Sequence, residues 1–136
     1  MKSKSMLFSA AYSKNAVDWS ALVLRIVFGG LMVPHGYAKL VGFAEKQHSF
    51  MNFLGLGSAV SLGLTIFAEL ICAALLVIGL YTRLALIPLL ILTVVIVFIS
   101  HEGDIFGKAF SGFAYLTAYL VIFLLGPGKY SVDARR

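Results

Sequence analysis

Charge is what this sequence has least of. Its 136 residues include 6 acids and 11 basic residues, 12% of the chain, where ordinary soluble domains carry about 25%. Cysteine is nearly absent as well. The single Cys72 excludes an internal disulfide, a dithiol relay and a cluster-binding cysteine set, and no CxxCH haem site or Gly-rich nucleotide loop is present. The basic residues stand singly at the edges of apolar runs, without aromatic residues interleaved, which argues against a nucleic-acid partner despite the net charge of +5. No internal repeat or low-complexity tract occurs. Residues 1–12 contain lysines but no long apolar stretch with a cleavage site, so the first spanning segment is expected to act as the insertion signal.

What fills the chain instead is hydrocarbon. Hydrophobic residues make up 60% of it and the mean hydropathy is +0.96, more apolar surface than a soluble core of this size can hide. The reading is an all-α integral membrane protein, one domain over residues 1–136, built as a four-transmembrane-helix bundle. A span needs about 20 mainly apolar residues, and the candidates cover about 19–40, 60–80, 84–100 and 109–125. Asp18 or Ser20 is placed to cap the first, Pro34 should kink it, and Gly126-Pro127-Gly128 stops the last. Between the first two spans, residues 43–57 alternate Phe43, Phe50, Met51 and Phe53 with Glu45, Lys46, His48 and Asn52. That mixture suits a short interfacial helix. Seven Lys and Arg residues (Lys2, Lys4, Lys14, Arg83, Lys129, Arg135 and Arg136) fall on one side and three (Lys39, Lys46 and Lys108) on the other. Both termini are therefore expected on the cytoplasmic side, with Arg25 snorkelling toward it.

Ionisable groups inside spans are expensive and face a bundle interior or a cavity. Glu69 lies near the middle of its span. His35 lies about 7 Å nearer the outer face at 1.5 Å per residue, Lys39 shares its helix face, and His101 ends the third span on that side, with Glu102 and Asp104 just beyond. The topology thus gathers His35, Lys39, Glu69, His101 and Asp104 in the outer half of the bundle. Such a group can pass protons, hold a polar head or simply bond helices together. Two histidines and a carboxylate also match a metal-ligand set, but three separate helices supply them without local spacing, so no metal site is assigned. Plainer readings stand beside these: Arg83 and Lys39 as interfacial anchors, Tyr115 and Tyr119 as aromatic packing or pocket lining, Cys72 as core. Gly29, Gly30 and Gly79 are read as allowing close helix approach.

The stretch LRIVFGGLMVPHGYAKL at residues 24–40 resembles the first helix of the DoxX family. FAELICAALLVIGLYTRLA at 67–85 resembles that family's second helix and tight turn. FISHEGDIFGK at 98–108 and LLGPGKYSVD at 124–133 are similar to its outer-loop and C-terminal features. The resemblance implies a compact four-helix protein of the bacterial inner membrane, with Arg25, His35, Gly36, Lys39, Glu69 and Arg83 at the family's polar positions. Relatives include a subunit of a thiosulfate–quinone oxidoreductase and a member of a mycobacterial thiol-stress complex. The implied role is a redox-associated subunit that binds a quinone or another small lipophile through His35, Lys39, Glu69, His101, Asp104, Tyr115 and Tyr119, with Glu69 and His35 moving protons. Electrons would come from a redox partner protein. A non-catalytic scaffold or assembly protein, and a solute or proton carrier acting as a homo-oligomer, are the competing readings.

Overall fold

The computed structural model describes residues 6–136; Lys2 and Lys4, counted above toward the basic side, lie outside them. Regular structure among the described residues is entirely helical. We number the helices α1 (Lys14–Val41), α2 (Phe43–Lys46), α3 (Ser58–Ile78), α4 (Thr82–Ser100) and α5 (Phe110–Leu125). Helices α1, α3 and α4 are long and apolar enough to cross a membrane; α5 is equally apolar but has 16 residues, about 24 Å at 1.5 Å per residue.

The four long helices pack as a closed ring, α1 against α3, α3 against α4, α4 against α5 and α5 back on α1. Met32, Cys72, Leu76, Leu86, Leu89 and Ile122 meet at the centre. The outer faces carry Val23, Leu31, Leu64, Ile91 and Leu124, each about half exposed or more, as suits a surface solvated by lipid rather than water. Helices α1 and α3 are interrupted by π turns at Arg25–Gly29 and Phe67–Cys72, and α4 ends in one at Val95–Ser100. Such turns offset the backbone register and are frequent at functional sites. In α1 the departure from α geometry therefore lies upstream of Pro34, which sits in continuous helix. The Phe28 carbonyl, within that first π turn, accepts a 2.9 Å hydrogen bond from the otherwise buried Tyr119 hydroxyl.

Several expectations need correction. Helix α1 starts at Lys14, because the Ser13 hydroxyl accepts from the Ala16 N–H at 3.1 Å and caps the helix. Asp18, expected as a cap, is buried inside the helix and receives Lys14 Nζ at 3.0 Å and the Lys129 N–H at 3.1 Å. The interfacial helix shrinks to the single turn of α2. Beyond it the chain runs as an irregular strap, since Leu54, Gly55 and Gly57 take positive φ and the side chains of Asn52, Ser58 and Ser61 bond to strap backbone that a helix would use for itself. Gly29 does allow close packing, a Cβ there meeting Val77 and Ala73, but a Cβ on Gly30 would meet nothing.

Arg25 does not snorkel into water. It is fully buried, and its guanidinium donates to the carbonyls of Val77 (3.1 Å) and Tyr130. It thereby joins α1, the end of α3 and the C-terminal tail, using the fork of donors that only Arg provides. The tail closes this end of the bundle. The N–H groups of Val132 and Asp133 reach the carbonyls of Ile78 and Gly79, and the Asp133 carboxylate accepts from the N–H groups of Tyr81 (2.8 Å) and Thr82 (2.9 Å). Asp133 thus caps α4 from 51 residues away, a task the residue at the cap position, Tyr81, does not perform. Partial burial opposes the Asp133 charge, but those backbone donors and the Arg136 guanidinium outweigh it and hold the carboxyl at about 2. Arg83 anchors α5 by donating to the Phe123 carbonyl at 2.9 Å.

Candidate ligand cavity

Glu69 faces inward from the π turn of α3 and is 2% exposed. Its carboxylate is held by Lys39 Nζ, from the last turn of α1, at 2.8 Å. Gly36 brings these two groups together. A Cβ there would lie 2.8 Å from the Glu69 carbonyl carbon and the Leu70 nitrogen, so only glycine lets α1 reach the π turn at this height. Lys39, one turn further along, then spans the remaining gap.

The ion pair heads a cavity of about 510 Å³ between α3 and α4, within the range of small-molecule sites. From α3 it is lined by Ser61, Leu64, Thr65, Phe67, Ala68 and Glu69, and from α4 by Pro88, Ile91, Leu92, Val95 and Ile96. Ser100 and His101 close one end, and Phe50, Met51 and Phe53 of the strap form a cover. That cover is fastened by side chains of α3. The Ser58 hydroxyl donates to the Phe50 carbonyl at 2.6 Å, and the Ser61 hydroxyl accepts from the Phe53 N–H at 2.8 Å while donating to Gly57. Ser100 reaches the Met51 sulfur from the α4 side at 3.5 Å. The His101 Nδ1 is buried and has no hydrogen-bond partner, an unusual state for a buried nitrogen.

Of the residues singled out from the sequence, Lys39, Glu69 and His101 are brought to this cavity. His35 is not. It lies exposed on another face of α1, its ring edge-on to Tyr115 with centroids 6.4 Å apart. Tyr115 packs on Phe28 and Tyr119, and neither tyrosine lines the cavity. Asp104 is exposed in the loop after α4, where Oδ2 accepts from the Lys108 N–H at 3.3 Å. Among the described residues no three of His, Cys, Asp and Glu are grouped to hold a metal ion. Ser61, Thr65 and the strap aromatics were missed. The spacing Ser61, Thr65, Glu69 is a polar stripe every four residues on one helix face, and that signal could have found the first two.

A family model described as DoxX matches residues 20–102, which takes in α1 from Ser20 on, the strap, α3, α4 and every residue of the cavity wall. No curated protein and no solved structure matches the chain.

Proposed function

Because the chain belongs to the DoxX family, we propose that it is a four-span protein of the bacterial inner membrane that binds a quinone or similar small lipophile in the α3–α4 cavity, as the membrane subunit of a redox system. The carrying observation is a long apolar wall that holds a few polar groups: the Lys39–Glu69 pair and His101 beside Leu64, Phe67, Ile91 and Val95. A lipophile with a polar head has that shape and that distribution of polarity. Lys14, Arg83, Lys129, Arg135 and Arg136 share the end of the bundle closed by the C-terminal tail, and the basic bias supports placing that end in the cytoplasm.

In this reading Lys39 donates a hydrogen bond to an oxygen of the head and orients it. Glu69 accepts or returns the proton at its carboxylate. His101 takes the place of His35 in that task, since His35 lies outside the cavity. When bound, a quinone supplies two-electron, two-proton chemistry; with one cysteine and no dithiol in the chain, a partner protein delivers the electrons. Titrating the protein in lipid nanodiscs with decylquinone tests the proposal. Saturable binding should appear and weaken at least tenfold in Thr65→Phe, which puts a ring into the cavity. Absence of binding, or equal binding in Thr65→Phe, would leave the polar cluster as a helix fastener in a scaffold protein.

A further inference from the structure

The cavity also carries information about which lipophiles it accepts, and this inference rests on the ligand-binding reading above. Its charges cancel. Lys39 and Glu69 are in direct contact at 2.8 Å; whether the shared proton sits on Nζ or on the carboxyl, the pair sums to zero. No other Asp, Glu, Lys or Arg lines the wall. A charged head entering this space loses its hydration and finds no unmatched countercharge. An anion meets Glu69 beside Lys39, and a cation meets Lys39 beside Glu69.

The protons of the hydroxyls are also committed. Ser61 serves Gly57 and Phe53, Thr65 donates to the Ser61 carbonyl at 2.9 Å, and Ser100 is turned to Met51. The His101 Nδ1 is a buried side-chain atom of a wall residue with no partner; it is shut off from the open space as the ring stands, so a turn of the ring is what would present it to a head. Access is from lipid rather than water. Leu64, Phe67 and Ile91 line the cavity and are about half exposed on the apolar flank, whereas the strap covers it elsewhere.

We propose that the cavity selects membrane-dissolved lipophiles with an uncharged, hydrogen-bonding head, that His101 contacts this head, and that the Lys39–Glu69 pair sets the selection by cancelling its own charge. The test uses a photoactivatable decylquinone as label in phosphatidylcholine nanodiscs, with decylquinone, laurate and dodecyltrimethylammonium as competitors at matched membrane mole fractions. In the wild type, decylquinone should compete at least tenfold better than either charged lipophile. Glu69→Gln leaves Lys39 unmatched and should improve laurate competition about tenfold; Lys39→Met should do the same for the cation. The double variant is neutral again and should return to the wild-type preference, which also covers the case in which a single variant fails to fold. His101→Asn, which keeps a polar nitrogen near the Nδ1 position, should retain labelling that His101→Leu loses. Equal competition by laurate in the wild type, or no gain of laurate in Glu69→Gln, overturns the charge selection while lipophile binding stands. Equal labelling in His101→Leu and His101→Asn overturns the His101 contact. If the label reaches no cavity residue in the wild type, the binding reading fails and this inference with it.

Discussion

Two glycines six residues apart in α1 make opposite predictions. At Gly36 a new Cβ would sit 2.8 Å from two backbone atoms of α3 and 3.0 Å from the Glu69 Cβ. Backbone cannot rotate out of the way, so α1 and α3 would have to part by about 0.6 Å to reach even a short van der Waals contact. Overpacking of this kind costs about 1–3 kcal/mol, and the absence of a yielding side chain places it in the upper half of that span. Alanine recovers up to about 1 kcal/mol of helix propensity, leaving a net loss of roughly 1–2 kcal/mol. At Gly30 a Cβ meets nothing within 4 Å, so Gly30→Ala has only the propensity gain. The lone Cys72, 2% exposed in the core, reports unfolding directly through a thiol-reactive fluorogenic maleimide during a thermal ramp in detergent. Gly36→Ala should expose it at a lower temperature than the wild type, and Gly30→Ala at the same or a higher one. Equal or raised melting of Gly36→Ala would refute the close approach that positions Glu69 against Lys39.

Asp133 predicts a pH dependence. Its carboxyl titrates at about 2 in the folded chain against 3.8 for the free group. A depressed value means the contribution, about 2 kcal/mol, is complete above pH ~4 and is lost as pH falls through about 2. Trp19, its ring tilted against Tyr130 of the tail with centroids 4.8 Å apart, provides the fluorescence readout, and Asp133→Asn should be less stable at pH 6 and flatter across this window. A wild type and variant with parallel pH profiles would remove Asp133 as the cap of α4. Ser61→Ala leaves the Phe53 N–H without its 2.8 Å acceptor and loosens the strap by about 1 kcal/mol, or roughly fivefold faster amide exchange at Phe53; unchanged exchange would mean that Ser61 does not fasten the cover.

The helices were legible because lipid imposes a simple rule: long apolar runs bounded by charge. Even there the caps misled. Asp18 looks like a cap by position, but its partner Lys129 stands 111 residues away, and such a pairing has no local signature. The same holds for Asp133 and for Arg25, whose acceptors on α3 and the tail are visible only once the bundle is closed. Three of the five members of the polar cluster meet at the cavity. Glu69 and Lys39 are costly in hydrocarbon and so announced an internal partner, and His101 followed from topology. His35 was misplaced because topology gives depth along a helix but not the direction a side chain faces around it, and the π turns shift that direction further. The strap defied its amphipathic pattern because Asn52, Ser58 and Ser61 bond to its backbone in a non-helical path.

The most direct measurement of the central claim is the map of where a lipophile sits. A photoactivatable decylquinone should label the wild-type protein in nanodiscs at Leu64, Phe67, Ile91 and Val95 and on the strap between Phe50 and Phe53, with excess decylquinone suppressing the label. Labelling spread evenly over the lipid-facing side chains, or concentrated on Phe110, Phe113 and Leu120 of α5 and indifferent to competitor, would contradict a ligand site between α3 and α4.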